Sequence, residues 1–98
     1  MATLLSGLQG SAEGATTALD NTVVLICNDM REGNDHYSAQ IPFVMVGGCG
    51  GYFKTGQIVG FNSVPNNQLL TSICHAMGLQ VAGVGESKYS GDLDSSLT

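Results

Sequence analysis

The chain has 98 residues, of which 43% are hydrophobic and only 11% are charged, and its formal net charge is −5. Typical soluble domains carry about 25% charged residues, so we expect much of this surface to lie against other protein, in a larger molecule or an assembly. Three basic residues against eight acidic ones cannot neutralise a run of phosphates, which excludes nucleic acid as a partner, and the apolar runs are too short to cross a membrane.

The first half of the chain is predicted to begin with a short helix and then to form a sheet. The spacing of the leucines over residues 2–8 predicts an amphipathic helix that ends near Gly10, and the small polar residues 11–20 predict a loop. Residues 22–27 and 41–46 are apolar and β-branched at consecutive positions. This pattern predicts two strands buried on both faces, as in a parallel sheet covered by helices.

A glycine-rich stretch, GGCGG at residues 47–51, is followed by Lys54 and Thr55. This order of residues is partly similar to the motif of a phosphate-binding loop. The template fails, because Phe53 occupies the position of its last required glycine and no helical pattern follows. We therefore predict a bend in which the glycines supply positive φ angles and close backbone approach. A short third strand or hairpin arm is predicted at residues 57–61.

The second half is predicted to contain one helix and a loose tail. Pro65 and the two following asparagines predict the start of a helix that runs through residues 68–77, with Gly78 as its stop signal. The glycine-, serine- and acid-rich residues 84–98 predict a loosely held end. The apolar face of the helix is predicted to consist of Leu69, Leu70, Ile73 and Met77.

The loop between the two predicted strands holds a large share of the chain's scarce charge. Asp29 directly follows the first strand, and Asp35 and His36 lie in the same loop. Ligands collect at the carboxyl ends of strands in open α/β sheets, and carboxylates and imidazole are ligands for Zn²⁺, Mn²⁺ or Mg²⁺. The loop lacks the ligand spacing of an EF-hand. Composition alone favours a solvated polar loop over a metal site.

The cysteines and histidines show no zinc-binding pattern. Cys27, Cys49 and Cys74 include no CxxC pair, and they have no ligand spacing to His36 or His75. Cys27 and Cys74 lie in apolar patterns that are typical of small buried side chains. We interpret His75, inside the predicted second helix, as structural or exposed rather than as a ligand. The odd number of cysteines leaves their disulfide status open.

Short motifs occur in a fixed order from about Leu4 to the end of the second helix. They are LDNT at residues 19–22, GNDH at 33–36, IPF at 41–43, GGCGG at 47–51, KTG at 54–56 and AMG at 76–78. In this order they resemble the C-terminal region of the bacterial HXXSHH family. That family is similar to the alkaline phosphatase and sulfatase superfamily.

The resemblance implies a fold and a location. The fold is α/β, a partial doubly wound sheet that forms the C-terminal part of an alkaline-phosphatase-like sandwich. Residues 1–20 would be its helix and loop, 21–83 its sheet and helix, and 84–98 its tail, all within a single C-terminal fragment of the domain. A periplasmic or exported location is also implied.

The resemblance further implies a divalent metal, Zn²⁺, Mn²⁺ or Mg²⁺. His36 would complete its site, with Asp29 as a weaker candidate ligand or as a partner of a ligand, and Asp35 beside them. The alternative is an imidazole that is hydrogen-bonded within the loop and holds Asp35 and Tyr37 in place.

The chain lacks the HXXSHH motif itself, and a single loop cannot supply the ligands of a two-metal hydrolase. The predicted function is therefore that of the C-terminal part of a phosphatase- or sulfatase-like hydrolase that is inactive alone, with the upstream part of the domain as its partner. The alternative is a non-enzymatic subunit that binds copies of itself or another chain through uncharged faces and strand edges. A stand-alone zinc module is the third hypothesis.

Overall fold

The computed structural model of the protein describes residues 1–31, 34 and 39–98, which form a mixed α/β structure. The chain divides into two compact units, Met1–Gly48 and Cys49–Thr98. None of the described helices is long and apolar enough to span a bilayer. In chain order the elements are α1 (Ala2–Gly10), β1 (Ala12–Glu13), β2 (Thr16–Thr17), β3 (Val24–Ile26), β4 (Val44–Val46), α2 (Asn66–Ala76), a 3-10 turn (Ser87–Tyr89) and α3 (Asp94–Leu97).

The first unit begins with α1 and a small hairpin. The predicted helix is confirmed and ends at Gly10. The Leu19 N–H donates a 3.2 Å hydrogen bond to the carbonyl oxygen of Leu8, which ties the segment after the hairpin to the helix. The predicted loop at residues 11–20 is instead partly ordered, because β1 and β2 pair antiparallel around a turn in which Gly14 has φ +63°.

The second sheet of this unit consists of β3 and β4. The two strands occur where the sequence predicts them, and Val24, Leu25 and Ile26 face Val46, Met45 and Val44. The prediction of a parallel sheet buried on both faces is wrong: the pair is antiparallel, and its residues are half-buried or exposed. A continuous apolar run indicates that both faces of a strand are favourable to bury. It does not specify the direction of the neighbouring strand or which residues bury the two faces.

The glycine bend after β4 adopts the predicted conformation. Gly47, Gly50 and Gly51 all have positive φ, and so does Cys49 between them. A Cβ atom on Gly47 would collide with the carbonyl oxygen of Thr22 and lie 2.9 Å from that of Leu19. Gly47 therefore permits the chain leaving β4 to pass directly against the backbone that leads into β3.

The second unit is organised around α2. The predicted helix is confirmed, beginning after Pro65 and ending before Gly78, which has φ +85°. The Gly78 N–H bonds to the carbonyl oxygen of His75 at 2.9 Å, and the Leu79 N–H bonds to that of Cys74 at 2.9 Å. These two bonds form a Schellman motif, which satisfies carbonyl groups at the end of the helix and turns the chain back.

The face of α2 that is buried differs from the prediction. Of the four predicted apolar residues only Leu69 is buried, and Met77 is 66% exposed. Thr71 and Ser72 are fully buried instead. Their hydroxyls are satisfied, since Thr71 donates to the Asn67 carbonyl oxygen at 2.9 Å and Ser72 accepts the Leu93 N–H at 2.8 Å. The C-terminal segment, residues 84–98, covers the polar side of α2. Its buried backbone groups need hydrogen-bond partners, and the Ser72 hydroxyl is the partner of the Leu93 N–H.

The C-terminal segment is ordered, so the prediction of a loosely held tail is wrong. It contains the 3-10 turn and α3. Leu97 is only 8% exposed and is one of the buried apolar residues, together with Phe53 and Leu69. The Lys54 N–H also donates a 2.8 Å hydrogen bond to the Leu97 carbonyl oxygen. A polar composition indicates that most side chains of a segment are exposed. In this segment one buried leucine and a few backbone hydrogen bonds are enough to hold the backbone in place.

The predicted third strand at residues 57–61 is also wrong. These residues are exposed and have no strand assignment. Residues of high β propensity form a strand only when another strand pairs with their N–H and C=O groups. No such partner strand occurs in the described part of the chain.

Replacing Gly47 with alanine should disrupt the first unit more than replacing Gly14, its matched control. Both residues have positive φ, which costs alanine about 1 kcal/mol, but only Gly47 lacks space for a Cβ atom. Amide hydrogen exchange of β3 and β4 is the measurement. We expect Gly47→Ala to abolish protection and Gly14→Ala to leave most of it, and equal effects would contradict the close approach.

Leu97→Ala should destabilise the second unit, whereas Leu79→Ala should not. Truncating a buried leucine costs about 2–5 kcal/mol, and Leu97 is 8% exposed while Leu79 is 58% exposed. Urea unfolding followed by tyrosine fluorescence measures the difference, because the chain has no tryptophan. If Leu97→Ala unfolds at the wild-type urea concentration, the C-terminal segment is not packed as described.

Candidate functional site

The residues that the sequence singles out as metal ligands do not form a site in the described structure. His36 and Asp35 lie outside the described residues. Asp29 is exposed beyond β3, and its N–H bonds to the Asn28 side-chain oxygen at 2.9 Å. Among described residues Asp29 belongs to no group of three metal-ligating side chains.

A different group of metal-ligating side chains lies in the second unit. His75 from the last turn of α2 meets Asp94, the first residue of α3, and Asp92, which precedes that helix. One ligand atom from each residue lies within 4.8 Å of the others. The Asp94 N–H donates to Asp92 Oδ1 at 3.0 Å, which holds the two acids on one side of the turn. The three residues could hold a metal ion. We call them the His75 cluster.

The imidazole of His75 contacts an oxygen acceptor at each of its nitrogens. Nδ1 lies 2.7 Å from Asp94 Oδ2, and Nε2 lies 2.7 Å from the Val81 carbonyl oxygen. A neutral imidazole carries one N–H and one lone pair, so in either tautomer one nitrogen lone pair would face an oxygen lone pair. Both contacts are favourable only when the ring is protonated at both nitrogens or binds another cation at Nδ1.

The surroundings of His75 favour its cationic form. The hydrogen bond to the Val81 carbonyl and then the bond to Asp94 raise the pKa of His75, while partial burial opposes them; the negative charges of Asp94 and Asp92 add to the increase. The ring also lies in the last turn of α2, where the helix dipole stabilises positive charge.

Asp94 is the acceptor at the centre of the cluster. Its Oδ2 accepts hydrogen bonds from His75 and from the Tyr52 hydroxyl, the latter at 2.9 Å. Burial acts to raise the pKa of Asp94, but Ser72, His75 and Tyr52 together hold it below its ordinary value. The other oxygen, Oδ1, is buried and has no hydrogen bond of acceptable geometry from the described residues, although the Ser72 hydroxyl lies near enough to the carboxylate to lower its pKa.

The arrangement does not supply nucleophilic catalysis. The histidine nitrogen that would deprotonate a nucleophile, Nε2, is directed at the Val81 carbonyl oxygen. The Ser72 hydroxyl, which lies near Asp94, is fully buried and accepts the Leu93 N–H, so a substrate cannot reach it. The His75 cluster can act as an ion pair that joins α2 to α3, or as a set of ligands.

The cysteines take no part in this cluster. All three are free; Cys27 is exposed, contrary to its prediction, and Cys49 and Cys74 are partly exposed. The Cys49 thiol lies 3.6 Å from the Met77 sulfur and 3.7 Å from the Ala76 carbonyl oxygen. No cysteine of the described chain lies in a group of three metal-ligating side chains.

Sequence reasoning missed the His75 cluster because its members are not joined by any ligand spacing. His75 precedes Asp92 by a long connection that contains the Schellman turn. The usable signals were two acids separated by one residue in a charge-poor chain, and a histidine in the last turn of a helix. Neither signal indicates that these residues meet.

Comparison with known proteins gives no match. No family model matches the chain, and no curated protein or solved structure is significantly similar to it.

The stability of the second unit should depend on pH through His75 and Asp94. The raised pKa of His75 gives a contribution that is complete below about pH 6.5 and is lost as pH rises through its folded-state pKa. The lowered pKa of Asp94 gives a contribution that is present above about pH 3.9 and is lost as pH falls through its folded-state pKa. We expect urea midpoints to be highest between these limits.

His75→Gln should be less stable than the wild type at pH 6, and the difference should shrink as the pH rises above the folded-state pKa of His75. His36→Gln is the matched control and should not change the pH dependence of the second unit. A stability difference between the wild type and His75→Gln that stays constant from pH 5 to pH 9 would contradict the charged contact.

Proposed function

We propose that this chain serves as the C-terminal part of a larger α/β protein of the phosphatase- or sulfatase-like kind, and that it does not turn over substrate by itself. The ordered motifs from LDNT to AMG support this assignment through their resemblance to the HXXSHH family. In this role the chain contributes strands and a metal-binding loop to a doubly wound sandwich whose other ligands come from elsewhere in the protein.

The observation that carries the proposal is the exposed apolar segment at residues 57–64, which we call the open segment. Ile58 is fully exposed, and Val59, Phe61 and Val64 also belong to the exposed large hydrophobic residues. Four such side chains in eight positions give the segment an exposed apolar character, and exposed apolar surface of this kind marks contacts with other protein. Ile58 has the most to gain from being covered, about 1.5–3 kcal/mol, since the other three are already partly buried.

The backbone of the open segment points to the kind of contact. It includes the β-branched Ile58 and Val59 and the aromatic Phe61, and none of its residues is assigned to a strand or helix. Addition of a strand from the remainder of the sheet would satisfy the backbone and cover the side chains together. The open segment thus matches the requirements of a missing sheet neighbour better than those of a small-molecule site.

The first unit also has the surface of an incomplete domain. All of the buried residues in the described chain lie in the second unit. The β3–β4 pair has only two strands, and Val44 remains exposed. Two-stranded sheets are at best marginally stable in water, so added strands or helices would stabilise this pair.

Catalysis by the chain alone is not supported by the side chains that the structure describes. Hydrolysis with two metal ions needs ligands from several strands to fix both ions and to orient the attacking group. The His75 cluster offers three ligands, and Nε2 of its histidine is directed at the Val81 carbonyl oxygen. Among the described residues Asp29 belongs to no group of three metal-ligating side chains.

The alternative function, a non-enzymatic subunit that assembles with itself, is favoured by the same open segment. Two copies of the segment could pair edge to edge, since the chain has few charges to oppose such pairing. The two functions differ in whether the segment is covered when the chain is alone in solution.

The test uses the full chain and the variant Ile58→Lys, with Gln80→Lys as the matched control at another exposed position. Sedimentation velocity over a hundredfold range of concentration should give no stable oligomer, and amide exchange of the open segment should be fast. Chromogenic phosphate and sulfate esters with Zn²⁺, Mn²⁺ or Mg²⁺ should not be hydrolysed.

Two results would contradict the proposal. A defined oligomer with protected open-segment amides, lost in Ile58→Lys but kept in Gln80→Lys, would establish the self-assembling subunit instead. Metal-dependent turnover that copurifies with the chain and disappears in His36→Gln would show that the chain is a complete enzyme.

A further inference from the structure

We propose that the His75 cluster is a zinc site, separate from the loop that contains His36, and that the bound ion fastens the C-terminal segment to α2. The ligands are Nδ1 of His75 and one carboxylate oxygen each from Asp92 and Asp94. All three residues belong to the second unit.

The donor set suits zinc. Zinc binds imidazole nitrogen and carboxylate oxygen in sites with three protein ligands and one open position. Magnesium prefers an octahedron of oxygen ligands and keeps much of its water, so a histidine in the set disfavours it. Two carboxylates balance the charge of a divalent ion, and the exposed side of Asp92 leaves room for water as the fourth ligand.

The distances require only a small rearrangement. Zinc bonds of 2.0–2.1 Å in a tetrahedron place ligand atoms about 3.3 Å apart. Nδ1 of His75 and Oδ2 of Asp94 lie 2.7 Å apart and would separate by about 0.6 Å. The ligand atoms all lie within 4.8 Å of one another, and the remaining separations would shorten through the exposed side chain of Asp92, whose Oδ1 accepts the Asp94 N–H.

The contact between His75 and Asp94 already requires a cation. With Nε2 donating its proton to the Val81 carbonyl oxygen, Nδ1 turns a lone pair toward Oδ2 unless that nitrogen also binds a proton or a metal ion. Zinc would replace the proton on Nδ1, and that proton would pass to solvent. The ring becomes a neutral imidazole and both carboxylates keep their negative charge, so no further proton transfer is needed.

The groups around the ligands have the arrangement that metal sites use. A ligating histidine normally donates its second N–H to a carbonyl or carboxylate, which fixes its tautomer, and Val81 provides this acceptor. The Tyr52 hydroxyl donates to Asp94 Oδ2, the oxygen that also contacts His75, and so helps to orient the carboxylate.

The test is titration of the full chain with Zn²⁺ alone, by calorimetry in competition with a chelator, and with Co²⁺ as a spectroscopic probe. We expect one zinc ion for each chain at this site and a Co²⁺ spectrum without a thiolate charge-transfer band. His75→Gln should abolish the binding, and Tyr52→Phe should weaken it about 10–100-fold.

Asp92→Asn separates ligation from folding. The amide keeps an oxygen that can accept the Asp94 N–H but removes the charge, so we expect a folded protein with at least tenfold weaker zinc binding. Asp29→Asn is the matched control, since it makes the same change at another exposed aspartate, and His36→Gln is the second control. Both controls should keep the zinc affinity of this site.

The inference is overturned if Asp92→Asn and His75→Gln bind zinc as the wild type does, or if Co²⁺ shows thiolate ligation. It is also overturned if His36→Gln alone removes the ion. None of these results bears on the open segment, so the zinc site and the proposed function fail independently.

Discussion

The second unit depends on one contact, the imidazole of His75 held between two oxygen acceptors. The ring links the carboxylate of Asp94 at the start of α3 to the Val81 carbonyl oxygen in the chain that leaves α2. Since both acceptors are satisfied only by a cationic ring or by a bound ion, the folding of this segment is coupled to charge. The neighbouring hydrogen bonds support this geometry, because the Ser72 hydroxyl accepts the Leu93 N–H next to Asp94 and the Tyr52 hydroxyl donates to Asp94 itself.

The two units satisfy their apolar residues in different ways. The second unit buries Phe53, Leu69 and Leu97 and adds hydroxyls that pair with backbone groups. In the first unit, close backbone approach at Gly47 and pairing of β3 with β4 determine the described structure, and no described side chain there is buried. The small number of charges and the uneven burial are the features that support the proposed role as part of a larger protein.

The two proposals concern different surfaces and agree with each other. The open segment offers apolar side chains and an unpaired backbone, which suits protein contact and offers few ligands. The His75 cluster offers three ligands, which suits an ion, and offers little apolar area. Both the cluster and the open segment belong to residues 49–98.

The sequence by itself determined the local structure of this protein. Leucine spacing specified α1, the apolar runs specified where β3 and β4 lie, and Pro65 with Gly78 specified the limits of α2. Each of these signals depends on residues that are close in the sequence, so the local structure can be predicted without knowledge of the fold. The bend at Gly47 belongs with them, because positive φ is a property of one residue.

Tertiary structure decided everything that depends on which segments meet. It made the β3–β4 pair antiparallel, left the open segment without a strand partner and ordered the C-terminal segment against the polar side of α2. It also brought His75 to Asp92 and Asp94, which no ligand spacing in the sequence connects. The physical reason is the same in each case: a hydrogen bond or a buried contact between distant residues depends on the path of the chain between them.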